Sequence, residues 1–220
     1  MSVAYKLHST NVQLFTYGDY VNFPDDGKRW ELIDGVAYMM AAPNGNHQGI
    51  LMSLGSLFHV HLRGKKCRVY PAPYDVRIPL FRGQPDSTIT TVVQPDLVIY
   101  CNPNNYDKKG GRAAPELAVE ILSPASGRMD KHRKFMLYER AGVKEYWLVD
   151  PDSEMVEIYR LTDGKFREVG RYADDDKLPA PEIGCEDLHG LEIKAAEIFE
   201  SMIRPEETEE AAPAATETEE

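Results

Sequence analysis

The sequence lacks the features that mark exported, membrane-bound or metal-ribbon proteins. No basic segment followed by an apolar segment begins the chain, so no signal peptide is predicted. No uninterrupted apolar run reaches the length of a membrane-spanning helix, which predicts a soluble protein without a membrane partner. The three cysteines show no Cys-x-x-Cys spacing and cannot all pair. We therefore expect free thiols and a cytoplasmic location, since the cytosol is reducing.

Basic residues are also in the minority. The chain has 25 Lys and Arg against 36 Asp and Glu, a formal net charge of -11. Seven of the acids are glutamates between Glu206 and Glu220, and without those seven the charge is about -4. This balance argues against a protein that coats nucleic acid irrespective of its sequence. The length fits one domain, residues 1–204, followed by an acidic tail, residues 205–220, that we expect to be disordered.

Hydrophobic patterning predicts both strands and helices. The Asp34-Gly35 pair between apolar runs predicts a hairpin, and residues 47–62 carry apolar side chains at helical spacing. Further strands are predicted at residues 69–80, 92–100, 116–122 and 145–149, with a second hairpin at residues 155–172. Further helices are predicted from residue 130 to 141 and at residues 195–202. This order predicts an α+β fold, a mixed β-sheet flanked by helices, with additional β-hairpins.

Two of the predicted strands each contain one carboxylate in an otherwise apolar run. Asp96 lies in the run 92–100, and Glu120 lies in the run 116–122. A buried carboxylate is costly unless it is paired or binds a metal. If the two strands are neighbours, side-chain alternation lets both carboxylates converge on one divalent cation. Carboxylate oxygens favour Mg²⁺ or Mn²⁺, and no His-x-x-His or Cys-x-x-Cys element accompanies them to suggest zinc.

The order and spacing of several segments resemble a known family, the Uma-type restriction endonucleases of the PD-(D/E)XK nuclease superfamily. The matching segments are Trp30 to Gly35, Asn46-His47-Gln48, Asp75-Val76-Arg77, Gln94 to Leu97, Val119 to Pro124, Lys134, Tyr138 and Glu145 to Pro151. The resemblance implies a restriction-endonuclease-like core. It also implies a metal-dependent endonuclease that hydrolyses DNA with Mg²⁺ or Mn²⁺ and works as a homodimer.

The resemblance further implies how the metal is held. Asp96 and Glu120 match the metal ligands, and the peptide carbonyl of Ile121 matches a further ligand. The usual motif places a lysine two residues after the acid, where this chain has Leu122. Lys134 in the following helix is the matching residue.

Other residues are open to more than one interpretation. Lys131 lies one helical turn before Lys134 and is an alternative to it. Glu31 and Asp75 match further acidic positions of the family, but Glu31 could be an exposed hairpin residue, and Asp75 could pair with Arg77 or cap a turn. His47 is expected to cap or precede a helix and not to bind metal. If the protein binds DNA, six basic residues could contact its backbone: Arg63, Lys65, Lys66, Arg68, Lys131 and Arg133.

A second function is compatible with the same pattern. A catalytically inactive module of this fold could bind nucleic acid or a protein partner through the cleft that holds the active site in active nucleases. The presence of both acids and a lysine favours the enzyme, whereas the net negative charge keeps the alternative open.

Overall fold

A computed structural model describes residues 13–123 and 127–204, with side chains described from His132 onward in the second range. The predicted acidic tail and the side chain of Lys131 lie outside the described residues. Among the described helices, none combines the length and the apolar character that crossing a membrane requires.

The described residues form four α-helices and fourteen strands, most of them short. The helices are α1 (Tyr17–Tyr20), α2 (Gly45–Leu62), α3 (Gly127–Ala141) and α4 (Ala195–Phe199). The first seven strands are β1 (Trp30–Ile33), β2 (Val36–Met39), β3 (Arg68–Pro71), β4 (Val76–Arg77), β5 (Val92–Val93), β6 (Leu97–Tyr100) and β7 (Tyr106–Asp107). The others are β8 (Gly110–Gly111), β9 (Leu117–Ile121), β10 (Glu145–Asp150), β11 (Met155–Thr162), β12 (Lys165–Ala173), β13 (Lys177–Leu178) and β14 (Ile193–Lys194).

A six-stranded mixed sheet forms the centre of the molecule. Its strand order is β12-β11-β10-β9-β6-β3, in which β9 and β10 are parallel and the other neighbours are antiparallel. Strand β9 is buried on both faces, as its apolar run predicts. Its odd-numbered residues pack with α2 and α4, and its even-numbered residues face α3 and a second sheet. The α+β prediction is therefore confirmed, with α2 packed on the sheet as expected.

The second sheet was not predicted, and prolines explain why. Its order is β2-β1-β5-β4-β8-β7. The single strands predicted at residues 69–80 and 92–100 are wrong, because each divides into two strands that belong to different sheets. The first division follows Pro71, the last residue of β3, and contains Pro73, and the second contains Pro95. Proline cannot donate a backbone hydrogen bond to a ladder. Asp96 consequently lies just before β6 rather than inside a strand.

Both predicted hairpins are present. In the first, Asp34 and Gly35 have φ values of 51° and 82°, and in the second, Asp163 and Gly164 have φ values of 52° and 75°. Two consecutive residues with positive φ form the turn whose twist matches that of paired strands. Asp-Gly therefore sets the register of both hairpins.

The prediction of three free thiols is wrong. Cys67 and Cys101 form a disulfide, whereas Cys185 is a free thiol. Arg68 pairs with Tyr100 between β3 and β6, so the two bonded cysteines lie opposite each other at the end of this ladder. Their proximity depends on the pairing of strands far apart in the sequence, which cysteine spacing alone does not show.

Candidate active site

A lysine and two glutamates form a buried charge cluster beside the central sheet. The ammonium Nζ of Lys134 lies 3.0 Å from both carboxylate oxygens of Glu120 and 3.0 Å from Oε1 of Glu31. The exposed fraction is 5% for Glu31, 8% for Lys134 and 9% for Glu120. Lys134 reaches the cluster because α3 follows β9 and packs back across the sheet. Lys134, the residue that matches the motif lysine, therefore points into the cluster, and Glu31 is a buried member of the cluster rather than an exposed hairpin residue.

Asp96 joins this cluster through the neighbouring strand. Leu97 pairs with Val119 between β6 and β9, which brings Asp96 to the level of Glu120. The backbone N–H of Ile121 donates to Oδ2 of Asp96 at 2.7 Å. The two strands are therefore neighbours, which is the condition for convergence of the two carboxylates.

The electrostatics of the cluster favour an additional cation. Burial raises the pKa of Glu120 to about 8, and although Lys134 opposes this shift, the charges of Asp96 and Glu31 add to it. Burial alone would lower the pKa of Lys134, but the surrounding carboxylates outweigh burial and hold that pKa well above its usual value. If all three carboxylates were ionised, they would exceed the one ammonium by two negative charges among the side chains described there, and the raised pKa of Glu120 reflects this repulsion together with burial. Such an excess is costly in a buried site unless a cation or protons neutralise it.

The donor set also fits a divalent metal. Hard carboxylate oxygens from Asp96, Glu120 and Glu31 are the ligand type that Mg²⁺ and Mn²⁺ prefer. The peptide of Ile121 is held next to Asp96 by its N–H, so its carbonyl stays a predicted ligand. The residues therefore fit the ion that the family resemblance implies.

Three further residues contact the acids and were not predicted to belong to the site. The hydroxyl of Tyr138 donates to Oε1 of Glu120 at 2.6 Å, and the backbone N–H of Gln94 donates to Oε1 of Glu31 at 2.7 Å. Tyr138 follows Lys134 by four residues, so helical periodicity could have found it.

His47 is the third of these residues. It lies in the first turn of α2, where its backbone N–H donates to the capping side chain of Asn44 at 2.9 Å. Its Nε2 lies 3.2 Å from Oδ1 of Asp96. Its other ring nitrogen, Nδ1, is buried and has no hydrogen-bond partner among the described residues. The partner of His47 is distant in the sequence, so no local pattern indicates this contact.

Asp75 is linked to the cluster only through intermediate groups. Its Oδ1 accepts hydrogen bonds from the Tyr20 hydroxyl at 3.0 Å and from the Gln94 side chain at 2.9 Å. Gln94 in turn contacts Glu31 through its backbone. The alternative pairing of Asp75 with Arg77 is not what the structure shows, because Arg77 forms its ion pairs with Asp86 at 2.5 Å and Asp107 at 2.6 Å.

Most of the basic residues expected to contact DNA lie elsewhere. Arg63, Lys65 and Lys66 follow the end of α2, about 22 Å from His47 by the rise of an α-helix. Arg133 immediately precedes Lys134 in α3. The Cζ atom of its guanidinium lies 4.2 Å from the centroid of the Tyr38 ring. Contacts of these basic residues with DNA therefore stay a prediction.

Comparison with known proteins gives a consistent result. The model of the Uma2 family, described as "Putative restriction endonuclease", matches residues 17–194. An uncharacterized protein of Synechocystis sp. strain PCC 6803 is 28% identical over 158 residues, which are 71% of this chain and 79% of that protein. A crystal structure of a "putative nuclease belonging to DUF820" from Anabaena variabilis ATCC 29413 superposes with a TM-score of 0.67. At 18% identity, over 86% of this chain and 99% of that chain, this likeness shows a shared fold.

Proposed function

The chain belongs to the Uma2 family of restriction endonuclease-like proteins, and from this premise we propose that it is a metal-dependent endonuclease that hydrolyses phosphodiester bonds of DNA. The observation that carries the proposal is the buried cluster of Asp96, Glu120, Glu31 and Lys134. A cluster with excess negative charge and hard oxygen donors suits a divalent cation, and the lysine suits a phosphate.

Asp96 and Glu120, with the carbonyl of Ile121, would hold Mg²⁺ or Mn²⁺. When bound, such an ion supplies Lewis-acid polarisation of a phosphate. Lys134 would neutralise charge that develops on the phosphate and would orient the attacking water, since its three donors lie inside the cluster. Lys134 therefore takes the role of the lysine that Leu122 replaces in the usual motif.

The remaining residues would hold these groups in place. Tyr138 fixes one oxygen of Glu120, and His47 with the Ile121 N–H fixes both oxygens of Asp96. Glu31 contacts Lys134 and is assigned to orienting its ammonium. Partners of this kind set ligand orientation and affect metal affinity.

The substrate and the assembly are part of the same proposal. We assign duplex DNA as the substrate and a homodimer as the working form, because cutting both strands requires a site for each strand. Asp75 is assigned an indirect role, since Gln94 stands between it and Glu31.

Plasmid cleavage tests the proposal. The purified protein is incubated with supercoiled plasmid and linear single-stranded DNA in the presence of Mg²⁺, Mn²⁺ or EDTA. We expect nicked and linear plasmid only with a divalent cation, and no product from Glu120→Gln. Glu116→Gln is the matched control, because Glu116 immediately precedes the same strand and bonds to the backbone of Cys101 outside the cluster. DNA binding without cleavage by the wild type at any divalent concentration would support the inactive module instead.

A further inference from the structure

Three cysteine sulfurs meet at a place well separated from the carboxylate cluster. Cys101 follows β6 and Asp96 precedes it, so they lie about 16 Å apart by the rise of a strand. The sulfur atoms of Cys67, Cys101 and Cys185 all lie within 4.8 Å of one another. This cluster is independent of the proposed nuclease chemistry.

The surrounding hydrogen bonds fix the position of the third cysteine. Cys185 immediately precedes a single turn of 3₁₀ helix at Glu186–Leu188. Within this turn, Oδ2 of Asp187 accepts a hydrogen bond from the backbone N–H of Cys67 at 2.7 Å. The carbonyl of Asp187 also accepts one from Nζ of Lys65 at 2.7 Å. These bonds hold the Cys185 sulfur 3.3 Å from the Cys67 sulfur, which is direct contact.

The three cysteine residues differ in their exposure to solvent. Cys67 is fully buried and Cys101 is 6% exposed, whereas Cys185 is only partly buried. Of the three cysteines, Cys185 is therefore the residue with the most contact with solvent. We propose that the cluster is a thiol–disulfide exchange site, in which Cys185 connects the buried Cys67–Cys101 disulfide to low-molecular-weight thiols.

The internal step requires no oxidant or reductant. The Cys185 thiol loses its proton, and the thiolate attacks the Cys67 sulfur. A bond forms between Cys185 and Cys67, and the bond between Cys67 and Cys101 breaks. Cys101 leaves as a thiolate and takes up a proton, so the number of disulfides is unchanged.

Reduction of the protein then uses thiols from solution. One small thiol attacks Cys185, forms a mixed disulfide with it and releases Cys67 as a thiolate. A second small thiol attacks the mixed disulfide and restores the Cys185 thiol. Two small thiols are thereby oxidised to one disulfide, and the protein gains two electrons, so that it ends with three thiols in place of one thiol and one disulfide. The reverse sequence would reform the disulfide from a small oxidised disulfide.

The rate of reduction tests the role of Cys185. The oxidised protein is treated with reduced glutathione, samples are quenched with acid and alkylated, and the remaining Cys67–Cys101 disulfide is quantified by peptide mass spectrometry. We expect Cys185→Ser to slow its loss at least about tenfold, because the buried disulfide then has no thiol neighbour exposed to solvent. Equal rates in the wild type and Cys185→Ser would overturn the proposal.

The identity of the exchanging sulfurs gives a second test that does not depend on Cys185→Ser folding. In Cys101→Ser, mild oxidation with oxidised glutathione should produce a Cys67–Cys185 disulfide, because those sulfurs are already in contact. In Cys67→Ser, the sulfur that takes part in both protein disulfides is absent. Cys101 and Cys185 remain, and Cys185 should form a mixed disulfide with glutathione. Absence of the Cys67–Cys185 bond in Cys101→Ser would contradict the proposal. So would one tightly held Zn²⁺ per reduced wild-type chain that protects all three thiols from alkylation, since the cluster would then be a metal site.

Discussion

Replacing Lys134 by methionine removes the ammonium that lies between Glu31 and Glu120. Each ion pair at 3.0 Å has a Coulomb energy of about 5 kcal/mol at an effective dielectric constant of about 20. The desolvation of the three side chains offsets much of this energy. Removing Lys134, however, leaves the carboxylates of Glu31 and Glu120 buried without their cation. Loss of one member of a buried pair typically costs about 3–5 kcal/mol. We therefore expect the unfolding free energy of Lys134→Met without metal to fall by about 3–5 kcal/mol.

Urea unfolding with and without Mn²⁺ measures this effect. A bound divalent cation returns positive charge to the same carboxylates, so the deficit of Lys134→Met should shrink when Mn²⁺ is present. Cleavage should still be slowed at least about 10²-fold, because the ion does not replace a contact made to the phosphate.

Lys165→Met is the matched control for stability. Lys165 also pairs with a glutamate, Glu139, at 2.9 Å, but its side chain is 62% exposed. Solvent screens the exposed Lys165 ammonium, and Glu139 keeps a hydrogen bond from the backbone N–H of Phe166 when Lys165 is replaced, so we expect little change in the unfolding free energy. If Lys134→Met is as stable as Lys165→Met, the buried cluster does not couple these charges and the reasoning is refuted.

Three other residues give independent predictions. His47→Ala should weaken Mn²⁺ binding about 10- to 100-fold in a calorimetric titration, because the contact to Asp96 is lost. His47→Gln keeps a hydrogen-bond donor and should recover much of the lost affinity. Tyr138→Phe should lower the unfolding free energy by about 1.5–3 kcal/mol because a hydrogen bond to a buried carboxylate is lost. Tyr146→Phe is its control in the same urea experiment, since the buried hydroxyl of Tyr146 has no partner among the described residues; an equal loss in both variants would count against the assigned contact. Burial raises the pKa of Glu145. The folded state therefore holds the Glu145 proton more tightly than the unfolded chain does. The stability gained from this proton is largest at low pH and is lost as pH rises through the raised pKa. Glu145→Gln should remove this part of the pH dependence, which begins near the ordinary glutamate pKa of about 4.3 and extends upward from it, and an unchanged profile would show that another group causes it.

Much of the charge cluster could be predicted because its signals are local. Glu120 lies in the middle of an apolar run, and Lys134 lies on a helix that directly follows this strand. A strand followed by a helix has few ways to pack, so the direction of Lys134 follows from chain order. Asp96 lies beside Glu120 as expected, because the strands β6 and β9 are neighbours. It lies just before β6, however, and not inside a strand as predicted.

The features that could not be predicted depend on contacts between distant segments. His47 contacts Asp96, and Cys67 bonds to Cys101, only because separate strands and a helix meet in space. The second sheet depends on where the chain changes sheets, and Pro95 marks one such position. The prolines inside residues 69–80 and 92–100 indicate that each run is divided into two strands. They do not indicate the order of the strands in the second sheet.

Isothermal titration of Mn²⁺ into the purified protein shows whether the carboxylate cluster is a divalent metal centre. We expect saturable binding to the wild type and to Glu116→Gln, and loss of that binding in Asp96→Asn and Glu120→Gln. Each variant keeps the size of its side chain and removes one negative charge. Mn²⁺ binding to Glu120→Gln with the affinity of the wild type would contradict the account.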